Sequence, residues 1–226
     1  MNIPKIIHQI WLGPKEPPKW CIDSWQKDYI SKYPDWKFKL WREKDIDNLT
    51  LINRRIYNKE PTLRGKSDIA RYEILYQFGG IFMDSDSFWI ENGNSSLNNL
   101  LIEAKDTGFF AGYEPNKDIL ANGIIGSCKS NKVLLDLINY LKDNYDKTKK
   151  KHSHKYSIWL VTGPIPFNKV LEKYDKNIIT RFPPYYFLPE TYKNNNMTFD
   201  TKKFKEKFPK SYMYQYWLSR NKKYEE

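Results

Sequence analysis

Arg64-Gly65-Lys66-Ser67-Asp68-Ile69-Ala70-Arg71-Tyr72-Glu73-Ile74-Leu75-Tyr76-Gln77-Phe78-Gly79-Gly80-Ile81-Phe82-Met83-Asp84-Ser85-Asp86 is the stretch on which the reading of this chain turns. Residues 64–78 read as a helix closed by Gly79-Gly80, because glycine takes the left-handed cap without a Cβ clash. Ile81 to Met83 is a short apolar strand that runs straight into Asp84-Ser85-Asp86. Two carboxylates at i and i+2, just past a buried strand, sit where open α/β sheets bind their ligands. Their mutual repulsion raises one pKa or demands a cation. Mg²⁺ or Mn²⁺, held by carboxylates and substrate phosphate oxygens, meets that demand. Taken alone, the triplet is equally a polar turn. The helix before it adds weight, since Asp68 and Arg71 are three apart and share a face. An Arg beside an acidic pair could hold a sugar hydroxyl or a phosphate. As an ordinary exposed ion pair, the same two residues would contribute only about 0.3–0.5 kcal/mol.

Working outward, Ile6, Ile7, Ile10 and Trp11 form an apolar segment ended by Gly13-Pro14, which reads as a buried first strand. Pro17-Pro18 opens a helical pattern through Trp20, Trp25 and Tyr29, and Trp36, Phe38 and Leu40 alternate with lysines as a second strand. Strand, helix and strand in so short a span are the signature of a βαβ unit and a parallel sheet. Asp45 to Tyr57 reads as helical. Downstream, the pattern gives helices at 97–105, 132–145 and 167–174, and strands at 109–113, 124–128 and 178–182. Residues 158–162 read as extended, with Gly163-Pro164 breaking the segment, and Tyr212 to Trp217 as an extended stretch in an aromatic tail. With no internal repeat or low-complexity linker, the economical reading is one α/β domain over residues 1–226.

The 226 residues are 40% hydrophobic and 16% aromatic, a composition that must fold to keep its rings out of water. The net charge is +11, with 31 Lys against 7 Arg. A base-reading protein leans on Arg, whereas scattered Lys gives solubility and a diffuse field that favours anionic partners such as nucleotides. The densest run, Lys147 to Lys155, reads as a solvated loop after a helix. No stretch approaches the roughly 20 apolar residues that span a bilayer, and no signal-peptide pattern opens the chain. A soluble, cytoplasmic protein with at most peripheral membrane contact is expected. Cys21 and Cys128 alone suit a reducing compartment and exclude a disulfide scaffold.

Ile3-Pro4-Lys5-Ile6-Ile7-His8-Gln9-Ile10-Trp11, with Lys66 to Arg71, Gly79-Gly80 and Asp84-Ser85-Asp86, resembles glycosyltransferase family 32 and, more distantly, the large clostridial glucosylating toxins. The likeness is looser at Asn122-Gly123 and Thr162-Gly163-Pro164. It implies a GT-A fold, a nucleotide-binding Rossmann-like mixed sheet flanked by helices. It also implies a retaining transferase that takes a UDP- or GDP-linked sugar with Mn²⁺ or Mg²⁺. A glycan, polysaccharide or glycoprotein would be the acceptor, and no nucleic acid is involved. Carried over by position, Trp11 would stack on the donor base, with His8 and Gln9 beside it. Ser67, Asp68 and Arg71 would meet the sugar and diphosphate, and Asp84 and Asp86 the metal. Asn122 is a candidate polar contact. Gln215 stands where the family often has a His, which makes it a candidate third ligand, and Trp217 stands where the family has a closing Trp.

Two rivals belong to other classes. In an aspartyl phosphatase, a strand followed by Asp-x-Asp supplies nucleophile and acid, but Ser87-Phe88 and the helix-Gly-Gly prelude count against it. A basic nucleic-acid module is permitted by the charge, yet the acidic triplet would repel phosphates unless a metal intervened.

Overall fold

The computed structural model describes residues 1–92, 96–115, 117–152, 157–175, 177–191 and 201–218. A six-stranded sheet carries the architecture. In chain order its strands are β1 (Ile6–Ile10), β2 (Lys37–Trp41) and β3 (Gly80–Met83), then, after β4 (Ser87–Trp89), β5 (Phe109–Tyr113), β6 (Leu120–Ser127) and β7 (Thr180–Phe182). Their spatial order is β2-β1-β3-β6-β5-β7. β1 runs parallel to β2 and β3, β6 is antiparallel to β3 and β5, and β7 is parallel to β5. β4 leaves this sheet and pairs antiparallel with β8 (Met213–Gln215).

The βαβ reading holds: helical residues 19–32 connect β1 to its parallel neighbour β2. Leu63–Phe78 is a single helix whose start is capped by Thr62, its hydroxyl accepting from the Gly65 amide at 3.0 Å. Its middle is buried from Asp68 to Leu75, so polar residues there must find partners inside the protein. Its end is fixed by two glycines with positive φ, 66° at Gly79 and 103° at Gly80. A Cβ on Gly80 would lie 2.6 Å from the Ile6 carbonyl oxygen, so this close approach of helix end to β1 requires glycine. One core fills the side of the sheet faced by the helices Leu63–Phe78, Lys132–Lys151 and Pro164–Leu171. A second, rich in Trp and Tyr, fills the other, around Trp25, Tyr29 and Trp36.

Several expectations are corrected. Ile158–Val161 is a short helix and not extended. Its amides bond to Ser157 and Ile158 carbonyls, and it packs on neighbouring helices instead of a strand. A four-residue apolar run does not choose between the two states until its neighbours are known. Pro164 starts the next helix instead of breaking ahead of it, as its fixed φ allows at a first turn. The helix Lys132–Lys151 runs on through the basic run, which therefore does not begin as a loop, while 153–155 lie outside the described residues. Its last turn tolerates lysines because cations favour the carbonyl end of the helix dipole. Asp45 to Tyr57 is two helices, Glu43–Asp47 and Arg54–Lys59. Among the described residues no helix is long and apolar enough to cross a membrane.

Candidate functional site

β3 delivers Asp84 to the end of the sheet, where the Asp84 amide donates to the Gly123 carbonyl at 2.9 Å and its carbonyl accepts from Ser87 at 3.0 Å. This turn presents both acidic side chains to a cavity of about 530 Å³. Trp11, Lys15, Trp159 and Glu114 line it together with the linked side chains Asp68, Arg71, Asp84 and Asp86, its acidic floor.

Arg71 organises the floor. Its Nη2 lies 3.2 Å from Asp68 Oδ1 and its Nη1 lies 3.1 Å from Asp84 Oδ1. Nη1 also donates to the Asn122 carbonyl at 2.7 Å, and the guanidinium lies 4.3 Å from the Phe82 ring centroid. The Asp68 and Arg71 side chains are 8% and 7% exposed, so this is a buried pair and not the surface pair that spacing alone allows. Asp68 also accepts from Asn122 Nδ2 at 2.8 Å and from the Thr162 hydroxyl at 3.0 Å. Burial still pushes its carboxyl up to about 6, with Arg71 pulling the other way and Asp84 adding to the rise.

The C-terminal segment closes the triplet. Gln215 Nε2 donates to Asp86 Oδ1 at 2.9 Å and to Asp84 Oδ2 at 3.1 Å, and the Leu218 amide donates to Asp86 Oδ2 at 2.8 Å. Between them Trp217 takes a left-handed φ of 58°, a costly conformation for a bulky residue, and lines the cavity. Burial raises the Asp86 carboxyl well above its ordinary range and the nearby Asp84 charge adds to this, while the Leu218 amide opposes it. The donor set suits a divalent cation: hard carboxylate oxygens on two side chains that converge on a single amide nitrogen, one of them energetically burdened by its charge. Gln215, as oriented, meets both carboxylates through its amide nitrogen and donates to the acidic pair. Among the described residues no three His, Cys, Asp or Glu side chains converge.

Of the residues expected at the donor, Trp11, Ser67, Asp68, Arg71, Asp84, Asp86, Asn122, Gln215 and Trp217 all line this one cavity. His8 and Gln9 do not. His8 Nε2 is bonded to the Gly79 carbonyl at 2.9 Å and Nδ1 accepts from Trp41 Nε1 at 3.1 Å, so both ring nitrogens are committed inside the fold. Burial lowers its pKa to about 4. Gln9 Nε2 donates to the Asp84 carbonyl at 3.2 Å, which holds the turn from beneath. Both corrections have one cause: His8 and Gln9 point to opposite faces of β1, and that strand, flanked by β2 and β3, is covered on both faces, so both side chains are buried.

Sequence reasoning missed Thr162, Tyr72 and the Leu218 amide. Tyr72 accepts from Asn122 Nδ2 at 3.0 Å and donates to the Thr162 carbonyl at 3.1 Å. Its place four residues after Asp68, on the same helix face, was the available signal. A backbone amide leaves none.

The fold resembles the GT-A fold of solved glycosyltransferase domains. The glycosyltransferase titled PaToxG superposes with a TM-score of 0.56 at 18% identity, covering 76% of this chain and 70% of that one. Residues 15–105 match the family described as the glycosyltransferase sugar-binding region containing the DXD motif. Inositol phosphoceramide mannosyltransferase 3 of Schizosaccharomyces pombe is 37% identical over 93 residues, 37% of this chain and 24% of that protein. Inositol phosphoceramide mannosyltransferase 2 of the same organism is 26% identical over 212 residues, 88% of this chain and 56% of that protein. The matches thus span between a quarter and just over half of these relatives' lengths. The fold is borne out, and so is the resemblance to glycosyltransferases that carry the DXD motif, whose match includes residues 66–86.

Proposed function

We propose that this chain is a metal-assisted, retaining hexosyltransferase that takes its sugar from a UDP- or GDP-linked donor and passes it to a glycan acceptor. The observation that carries the reading is the convergence of Asp68, Arg71, Asp84, Asp86 and the Gln215-Leu218 segment on one cavity. The relatives are named as mannosyltransferases, which makes GDP-mannose the first donor to try.

Asp84 and Asp86 would hold Mn²⁺ or Mg²⁺, which supplies charge neutralisation to a departing diphosphate. The Arg71 guanidinium, fixed by two carboxylates, is preorganised to meet negative charge on the leaving group without reorganising. Asp68 presents its carboxylate to donor sugar hydroxyls, and Asn122, Thr162 and Tyr72 fix its orientation. Trp11 offers a ring to the base; its indole N–H is bonded to the Lys15 carbonyl at 2.7 Å, which sets the ring plane. Trp217 covers the donor from the C-terminal side. Asp68 is tied on both oxygens by Arg71, Asn122 and Thr162, and so is a poor nucleophile. Retention would follow from attack of the acceptor hydroxyl on the face the leaving group vacates, with a leaving-group oxygen taking its proton.

The test is a panel of UDP- and GDP-sugars, with Mn²⁺ or Mg²⁺, assayed for release of nucleoside diphosphate. One donor turning over in a chelator-sensitive way supports the reading. Phosphate release from aryl phosphates without any sugar nucleotide would return the site to the aspartyl phosphatase class.

A further inference from the structure

The same cavity lining carries a cluster that the donor reading does not use. Trp159 lies on the short helix Ile158–Val161, 37% exposed, and lines the cavity. The Lys117 ammonium lies 4.2 Å from its ring centroid. The same ammonium is 3.7 Å from Glu114 Oε2, and the Glu114 side chain is only 11% exposed while facing the cavity. Gly163 ties the cluster to the floor: a Cβ there would lie 3.2 Å from Trp159 Cα and 3.5 Å from Asp68 Oδ2. Trp159 and the Asp68 carboxylate therefore flank a single glycine. Past Leu188, which walls both spaces, lies a second cavity of about 330 Å³ lined by Pro115, Tyr185 and Glu190.

We infer that Trp159, Glu114 and Lys117 form the subsite for a pyranose ring of the acceptor, with the second cavity taking the next sugar of the chain. This rests on the donor reading, because it assigns further residues of the same cavity. An exposed indole offers a flat apolar face to the C–H side of a sugar. A carboxylate and an ammonium beside it give charge-assisted hydrogen bonds to hydroxyls. Burial pushes the Glu114 carboxyl up and the Asp84 charge adds to this, while the Lys117 ammonium opposes it.

Saturation-transfer NMR with a panel of methyl hexopyranosides and hexose disaccharides, in the presence of diamagnetic Mg²⁺ and UDP or GDP, tests this. The wild type should saturate the ring protons of at least one member. Trp159→Ala and the near-isosteric Glu114→Gln should each reduce that signal at least fivefold, and Trp159→Phe should restore part of it. The melting-temperature rise produced by Mn²⁺ and nucleotide should stay at its wild-type value in all three. Equal saturation in wild type and both variants overturns the subsite. So does a panel with no saturation while the nucleotide-dependent rise is intact, which leaves the donor reading standing. Saturation lost in the variants of a protein that shows no nucleotide-dependent rise supports the sugar site and removes the donor reading. Neither signal overturns both.

Discussion

The backbone N–H of Leu218 donates to Oδ2 of Asp86 at 2.8 Å across 132 residues of chain, so the C-terminal segment grips one carboxylate of the acidic triplet. With Gln215 on the other oxygen, both acceptor atoms of Asp86 are held before any ligand arrives. The carboxyl is nevertheless raised by burial and by Asp84. A folded-state pKa above the unfolded one contributes stability that is full below the unfolded value and is lost as pH rises through the folded value. At pH 8, Asp86→Asn should therefore keep or raise the melting temperature of the metal-free protein while abolishing donor cleavage. A fall of more than about 4 °C, near 1 kcal/mol for a chain of this length, would return Asp86 to a structural role.

The same sign applies to Asp68, raised to about 6 chiefly by burial. Between pH 4 and pH 7 its charging works against the fold. Arg71 limits that cost, and removing it leaves two close acidic groups uncompensated. Arg71→Met should destabilise by about 3–5 kcal/mol, the cost of breaking a buried pair, and adding Asp68→Asn should recover part of the loss. Denaturant unfolding at pH 7 measures both. A single-variant loss under about 1 kcal/mol would mean the ion pair is solvated.

His8 titrates in the opposite direction. Its pKa is lowered to about 4 by burial, so its contribution is complete above the unfolded value of 6.5 and is lost as pH falls toward 4. His8→Gln should flatten the acid limb of the stability profile between those values and cost roughly 1–3 kcal/mol at pH 7 through unmet partners. The nucleotide affinity of the folded variant should not change. A selective loss of affinity at wild-type stability would place His8 at the base after all.

Gly123 has no Cβ, and one built there would lie 2.5 Å from Asp84 Oδ2. Gly123→Ala should push that carboxylate aside, weakening Mn²⁺ binding by tenfold or more with a melting-temperature change of only a few degrees. Calorimetric titration with Mn²⁺ and nucleotide reads the effect, and an unaltered affinity would show that the metal does not depend on Asp84.

Residues 64–86 could be read from sequence because each step there is local: a capped helix, two glycines that only one backbone conformation explains, and an apolar strand running into charge. The carboxylates and Arg71 followed from that register. What stayed hidden depends on partners far along the chain. The strand Ser87–Trp89 exists because it pairs with Met213–Gln215; the latter lies in a stretch that reads as extended, but the three residues 87–89 give no such signal alone. Ile158–Val161 became helical through its packing on other helices. The role of His8 was set by an indole and a carbonyl 33 and 71 residues away, and a lone histidine gives no hint of either.

The central claim is that Asp84 and Asp86 hold a divalent cation that carries the donor diphosphate. Mn²⁺ titration followed by electron paramagnetic resonance, with UDP and GDP in separate series, tests it most directly. The free-ion signal should fall to one bound Mn²⁺ per wild-type chain with one of the nucleotides, and should remain unbound at the same concentrations with Asp86→Asn. Equal uptake by the two proteins, or none by the wild type with either nucleotide, would contradict the account.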